Sequence, residues 1–118
     1  MNKLAFIIED DTDLSEIFKQ AISTKLDVEV ISDGRTAQKR LGEDVPFLIL
    51  LDMHLPHISG ADLLARIKAD DRFASTIIII TTADANMGEW HRDQADFVML
   101  KPISFVQLRD LVARLVPK

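Results

Sequence analysis

Apolar residues gather along this chain in short unbroken blocks at positions 4–8, 28–31, 47–51, 77–80 and 97–100, each rich in Ile, Val, Leu or Phe. Most of the blocks lack alternation with polar residues. That is the pattern of strands covered on both faces, as in a parallel sheet lying between helices. Between the blocks the apolar period lengthens. Leu14, Ile17, Phe18, Ala21 and Ile22 fall at the spacing of one buried helix face, behind Thr12 or Asp11 as N-cap. Leu108, Leu111, Val112 and Leu115 repeat the pattern near the C-terminus, behind Ser104. Leu63, Leu64 and Ile67 place a further helix after Gly60, and Ala37 with Leu41 a shorter one over positions 35–41. The weakest helical stretch covers positions 86–94, where Gly88 sits inside and Met87 and Trp90 are the only large apolar residues. Its low intrinsic helicity marks it as a candidate moving part.

Strand and helix alternating five times predict an α/β layered fold with right-handed crossovers. The pattern shows no linker or repeat, and a chain of 118 residues suits one domain spanning residues 1–118. Open sheets of this kind bind ligands beyond the carboxyl ends of their strands. Those ends carry unusual residues: Glu9, Asp10 and Asp11 after the first block, Asp52 after the third, Thr81 and Thr82 after the fourth, and Lys101 with Pro102 after the fifth. Carboxylates gathered in a small cleft repel one another unless a hard cation intervenes, and Mg²⁺ suits one or two carboxylates plus a phosphate. A carboxylate is also a nucleophile for phosphoryl groups. Phosphoryl transfer asks chiefly for positioning and charge neutralisation, which Mg²⁺, Lys101 and a threonine hydroxyl would supply.

Composition narrows the field further. A balance of 47% apolar and 28% charged residues is that of an ordinary globular protein. The net charge of −5 argues against direct binding to nucleic acid. The absence of cysteine removes disulfides, thiolate metal sites and cysteine nucleophiles together. No stretch approaches the roughly 18 consecutive apolar residues of a membrane span, and no signal peptide is legible, so a cytoplasmic location is expected.

Taken jointly, E-D-D, L-D-M-H-L-P-H-I-S-G, T-A and K-P, in that order at successive strand ends, resemble the receiver domains of two-component response regulators over essentially the whole chain. The resemblance implies a flavodoxin-like (βα)5 fold, with a five-stranded parallel sheet in the order 2-1-3-4-5 and helices on both faces. It implies a phosphorylation-dependent switch that is not itself an enzyme. Asp52 would accept a phosphoryl group from a histidine kinase or phosphotransfer protein, and Mg²⁺ would be held by Glu9, Asp10, Asp52 and the carbonyl of Met53. Thr82 and Lys101 would sense the phosphoryl oxygens, and the Lys101–Pro102 bond would be cis. His54 and Asp84, each two residues past a site residue, would tune the phosphoryl lifetime. Output would go to an effector domain or output protein, with a homodimer through the fourth helix, fifth strand and fifth helix as another use of the same surface. One position departs from the family: three residues before Lys101, where a phenylalanine or tyrosine is usual, stands Val98. Phe97 lies one residue earlier and faces the other side of the sheet, so the signal is expected to leave through displacement of residues 83–90.

Rival readings fare worse on the same residues. Asp11, Asp13 and Ser15 suggest a calcium loop, but Glu16 stands where that loop requires glycine. His54 and His57 lack further ligands at zinc spacing and are expected to be exposed loop residues. Asp11 and Asp13 read as caps or solvated groups, Thr81 as packing, and Trp90 as either core or an exposed anchor. A phosphohydrolase with an aspartyl nucleophile would carry a second acid where His54 stands. A receiver that had lost phosphorylation would lack one of the acids, the threonine or the lysine, all present here.

Overall fold

The computed structural model describes residues 2–117. Five strands, β1 (Lys3–Ile8), β2 (Leu26–Ile31), β3 (Leu48–Asp52), β4 (Ile77–Thr82) and β5 (Phe97–Leu100), alternate with five helices. The helices are α1 (Thr12–Ile22), α2 (Gly34–Glu43), α3 (Gly60–Lys68), α4 (Ala85–Trp90) and α5 (Phe105–Leu115). All strand pairs are parallel, in the order β2-β1-β3-β4-β5. Chain order reverses beside β1, so the cleft between the carboxyl ends of β1 and β3 is the switch point at which such sheets take ligands.

The period-2 geometry of the strands sorts each apolar block into two cores. Phe6, Ile8, Ile49, Leu51, Ile78 and Ile80 pack with Ala37, Leu41, Leu63, Leu64 and Ile67 of α2 and α3. Ala5, Ile7, Leu48, Leu50 and Ile79 pack on the other face with Phe18, Ala21 and Ile22 of α1 and Leu108 and Val112 of α5. In the central β3 every residue is buried, Asp52 included. The edge strand β2 behaves differently: only Leu26 and Ile31 are buried, and Asp27 and Glu29 punctuate it.

Helix starts follow their capping residues. The Asp11 carboxylate accepts from the Leu14 N–H and Ser104 from the Gln107 N–H, which selects Asp11 over Thr12 as the cap of α1. Two sequence expectations are corrected. Ile17 does not face the core: it is 43% exposed, because α1 buries a narrower stripe built on Ser15, Phe18, Ala21 and Ile22. The stretch at positions 86–94 is not one helix. It divides into α4 and a 3-10 turn over Arg92–Gln94, with His91 between them outside helical geometry. Among the described residues, no helix is long and apolar enough to cross a membrane.

Candidate functional site

Parallel register brings the strand ends level. Ile8 pairs with Leu51, Asp52 with Thr81, and Thr82 with Leu100, so the residues that follow each strand emerge on one rim. Glu9, Asp10, Asp52, Thr82 and Lys101 meet there. The Lys101–Pro102 peptide is cis.

Charge is concentrated and dry. Glu9 is 2% exposed and Asp52 1%, and one cation lies between them: Lys101 Nζ is 2.9 Å from Glu9 Oε1 and 3.4 Å from Asp52 Oδ1. With both carboxyls ionised, one ammonium serves two carboxylates and the cluster carries a net negative charge. Burial and the hydrogen bond shared with Asp52 push the Glu9 carboxyl up to about 7, despite the opposing pull of Lys101. For Lys101, burial disfavours the charged form, but the Glu9 and Asp52 carboxylates beside it outweigh burial and hold its pKa above the ordinary value.

A cation fits this donor set. Glu9, Asp10 and Asp52 each offer an oxygen, all within 4.8 Å of one another. Glu9 Oε1 is also buried without a hydrogen bond: its approach to Lys101 is close enough for charge contact but off the bonding angle. An oxygen of that kind is costly unless a positive charge approaches it. Glu9, Asp10, Asp52 and the Met53 carbonyl would hold Mg²⁺, which supplies charge neutralisation when bound.

The raised Glu9 pKa makes a prediction with a definite sign. Between about pH 4.5 and pH 7 the folded chain holds a proton on Glu9 that the unfolded chain releases. Stability contributed at this residue is therefore lost as pH rises through that window. In chelator, wild type is expected to fall behind a Glu9→Gln variant by roughly 5 °C in Tm between pH 5 and pH 8. Mg²⁺ competes with the same proton, so its stabilising effect should be largest at pH 8 and fade toward pH 5. Paired thermal melts across that range check both, and a Tm difference that is flat with pH contradicts the assignment.

Around this centre the loops are tightly seated. The His54 N–H donates to Asp52 Oδ1 at 3.1 Å, the Asp84 N–H donates to Thr82 Oγ1 at 3.0 Å, and His54 Nε2 lies 3.4 Å from the same hydroxyl. His54 and Asp84 both sit at the exposed rim, as does His57. The Asp84 carboxylate, however, turns back to cap α4, accepting from the Asn86 and Met87 N–H groups. Thr81 is buried, and its carbonyl accepts from the Met53 N–H at 3.1 Å.

Glycines do work here that periodicity does not reveal. A Cβ on Gly60 would collide with the Asp52 carbonyl oxygen and lie 2.5 Å from Met53 Cα, so only glycine lets α3 start directly against the end of β3. Gly88 is buried rather than merely helix-weakening: a Cβ there would come within 2.9 Å of Val98 Cγ1 and 3.3 Å of Thr82 Cγ2. The α4 backbone thus rests on the side chains of Thr82 and Val98. Phe97 packs with the opposite core. Trp90, either core or anchor by sequence, is 84% exposed.

Comparison with known proteins agrees with this geometry. The family model described as the response regulator receiver domain matches residues 5–113. The transcriptional regulatory protein TrcR of Mycobacterium tuberculosis is 32% identical over 112 residues, covering 92% of this chain and 42% of TrcR, so the chain spans less than half of that relative. Among solved structures, the signal receiver domain of a signal transduction histidine kinase from Syntrophus aciditrophicus is 26% identical with a TM-score of 0.84, covering 97% of this chain and 89% of that one. The receiver domain of the sensor histidine kinase PA1611 of Pseudomonas aeruginosa PAO1, described with a magnesium ion coordinated in its active site cleft, shares the fold at a TM-score of 0.85 and 20% identity, covering 98% of each chain. With a family model running from β1 into α5 and the strand-end residues assembled on one rim, the chain belongs to the response regulator receiver domain family.

Proposed function

We propose that this domain is a phosphorylation-dependent switch in which Asp52 is the sole phosphoacceptor. The observation that carries the reading is the buried Asp52 carboxylate at the switch point, with Lys101 and the oxygens of Glu9 and Asp10 around it and the Thr82 hydroxyl on the neighbouring strand. An Asp52 oxygen attacks phosphorus, the bond from phosphorus to the donor's histidine nitrogen breaks, and Lys101 offsets the charge gathered on the phosphoryl oxygens. Donors of this class are histidine kinases and phosphotransfer proteins, which places the domain in the cytoplasm. Residues 1–118 act as one signalling domain. The intact set of acids, threonine and lysine favours this over a receiver that works without phosphorylation.

Output leaves through α4, β5 and α5, where Trp90, Leu100 and Val106 are 84%, 50% and 49% exposed and can meet an effector or a second copy of the chain. Valine at position 98 is too short to plug a cavity opened by movement of Thr82. The signal therefore passes to the α4 backbone that rests on both residues. Trp90 is already solvated, so its fluorescence would follow this poorly, and hydrogen exchange over Ala85–Trp90 is the better readout.

Incubation with acetyl phosphate and Mg²⁺ tests the reading: intact mass should rise by one phosphoryl group, dependent on the metal, and exchange in α4 should quicken relative to α1. A chain that gains no phosphoryl group under these conditions is not such a switch.

A further inference from the structure

The hydroxyl of Thr82 is engaged before any phosphoryl group arrives. Its oxygen accepts the Asp84 N–H at 3.0 Å, and its other side faces His54 Nε2 at 3.4 Å. A hydroxyl has one proton and two lone pairs. With one lone pair taken by the Asp84 N–H, the single hydroxyl proton can go to His54 Nε2 in the tautomer whose Nε2 carries no hydrogen. Thr82 is fully buried, whereas His54 is exposed and reaches back over the site. The reach is held at its root, because the His54 N–H donates to Asp52 Oδ1. The same residue thus touches the phosphoacceptor through its backbone and the phosphoryl-sensing hydroxyl through its ring.

We propose that His54 is a positioning residue that holds the Thr82 hydroxyl in its resting orientation and competes with the phosphoryl group for it. This rests on the reading of Asp52 as phosphoacceptor. A phosphoryl oxygen on Asp52 needs the proton of the Thr82 hydroxyl, and with the tautomer in which Nε2 accepts that proton the hydroxyl must leave the imidazole to give it. The ring therefore favours the unphosphorylated state, and its removal favours the phosphorylated one.

The test is a double-mutant cycle read by binding of beryllofluoride with Mg²⁺. His54→Ala is expected to tighten beryllofluoride binding about three- to tenfold, the size of one net hydrogen bond. The effect should vanish in a Thr82→Ala background. His54→Gln, which keeps a terminal amide near the position of Nε2, should restore most of the wild-type affinity. The ¹⁵N shift of His54 Nε2 should move on beryllofluoride addition in wild type and stay still in Thr82→Ala. An effect of His54→Ala that is equal with and without the Thr82 hydroxyl, or a weakening of binding when that hydroxyl is present, overturns the proposal alone. A wild type that binds no beryllofluoride overturns the phosphoacceptor reading and this proposal with it.

Discussion

An Asp52→Asn protein is expected to take no phosphoryl group from acetyl phosphate and, in chelator at pH 8, where Glu9 is ionised, to melt higher than wild type. The two outcomes share one cause. In the resting site Lys101 lies against two carboxylates that are both almost wholly buried. A buried charge without its own partner costs several kcal/mol, and the surrounding loops here hold the excess negative charge in place. Asparagine keeps the shape and the acceptor oxygen for the His54 N–H while leaving Lys101 and Glu9 as a balanced pair. The gain should be on the order of 1–2 kcal/mol, discounted from the full desolvation cost because the pair stays close to the solvent rim. Mg²⁺ should narrow the gap, since it neutralises the charge that asparagine removes. Mass spectrometry reads the first outcome and thermal melts with and without Mg²⁺ the second. An Asp52→Asn protein that melts below wild type under those conditions would show that the resting carboxylate cluster is not a stored cost.

The second large effect comes from a residue with no functional group. Gly60→Ala is expected to cost about 3 kcal/mol, because the added Cβ meets backbone atoms of Asp52 and Met53 that cannot rotate aside. It should also weaken Mg²⁺ binding, since relief of the collision must move the strand end that carries the Asp52 carboxylate and the Met53 carbonyl. Gly42→Ala is the control within the same molecule. Nothing lies within 4 Å of a Cβ at Gly42, which sits in α2, so alanine there should add about 0.5–1 kcal/mol by limiting the unfolded chain. Denaturant melts of the two variants should shift in opposite directions. A Gly60→Ala protein as stable as wild type would refute the close approach of α3 to β3.

Much of the site is legible in the sequence because its residues break a local rule. A carboxylate that closes a fully apolar run, as Asp52 does, has no reason of its own to be buried, and neither has Glu9. Chain order and strand spacing then place the breaks at one end of the sheet. What the sequence hides is contact made by the lack of a side chain. Gly88 reads as a poor helix former, and only the fold shows that α4 needs its bare Cα to approach Val98 and Thr82. Ile17 is misplaced for a related reason: helical spacing defines a stripe but not how much of it a neighbour covers. His54 and Thr82 lie 28 residues apart, and strand pairing of β3 with β4 brings them near, yet no pattern in the chain says that the ring turns toward the hydroxyl.

The seat of α4 on Val98 ties positions 88 and 98 into one unit of sequence change. An aromatic ring at 98 would need the space that the helix backbone now fills, and any side chain at 88 would need a smaller neighbour than the valine already there. Glycine is already the smallest residue, so no change at 88 makes room for a ring at 98. A lineage with this seat therefore reaches the aromatic arrangement only by moving the α4 backbone, and gains a side chain at 88 only after position 98 has become smaller.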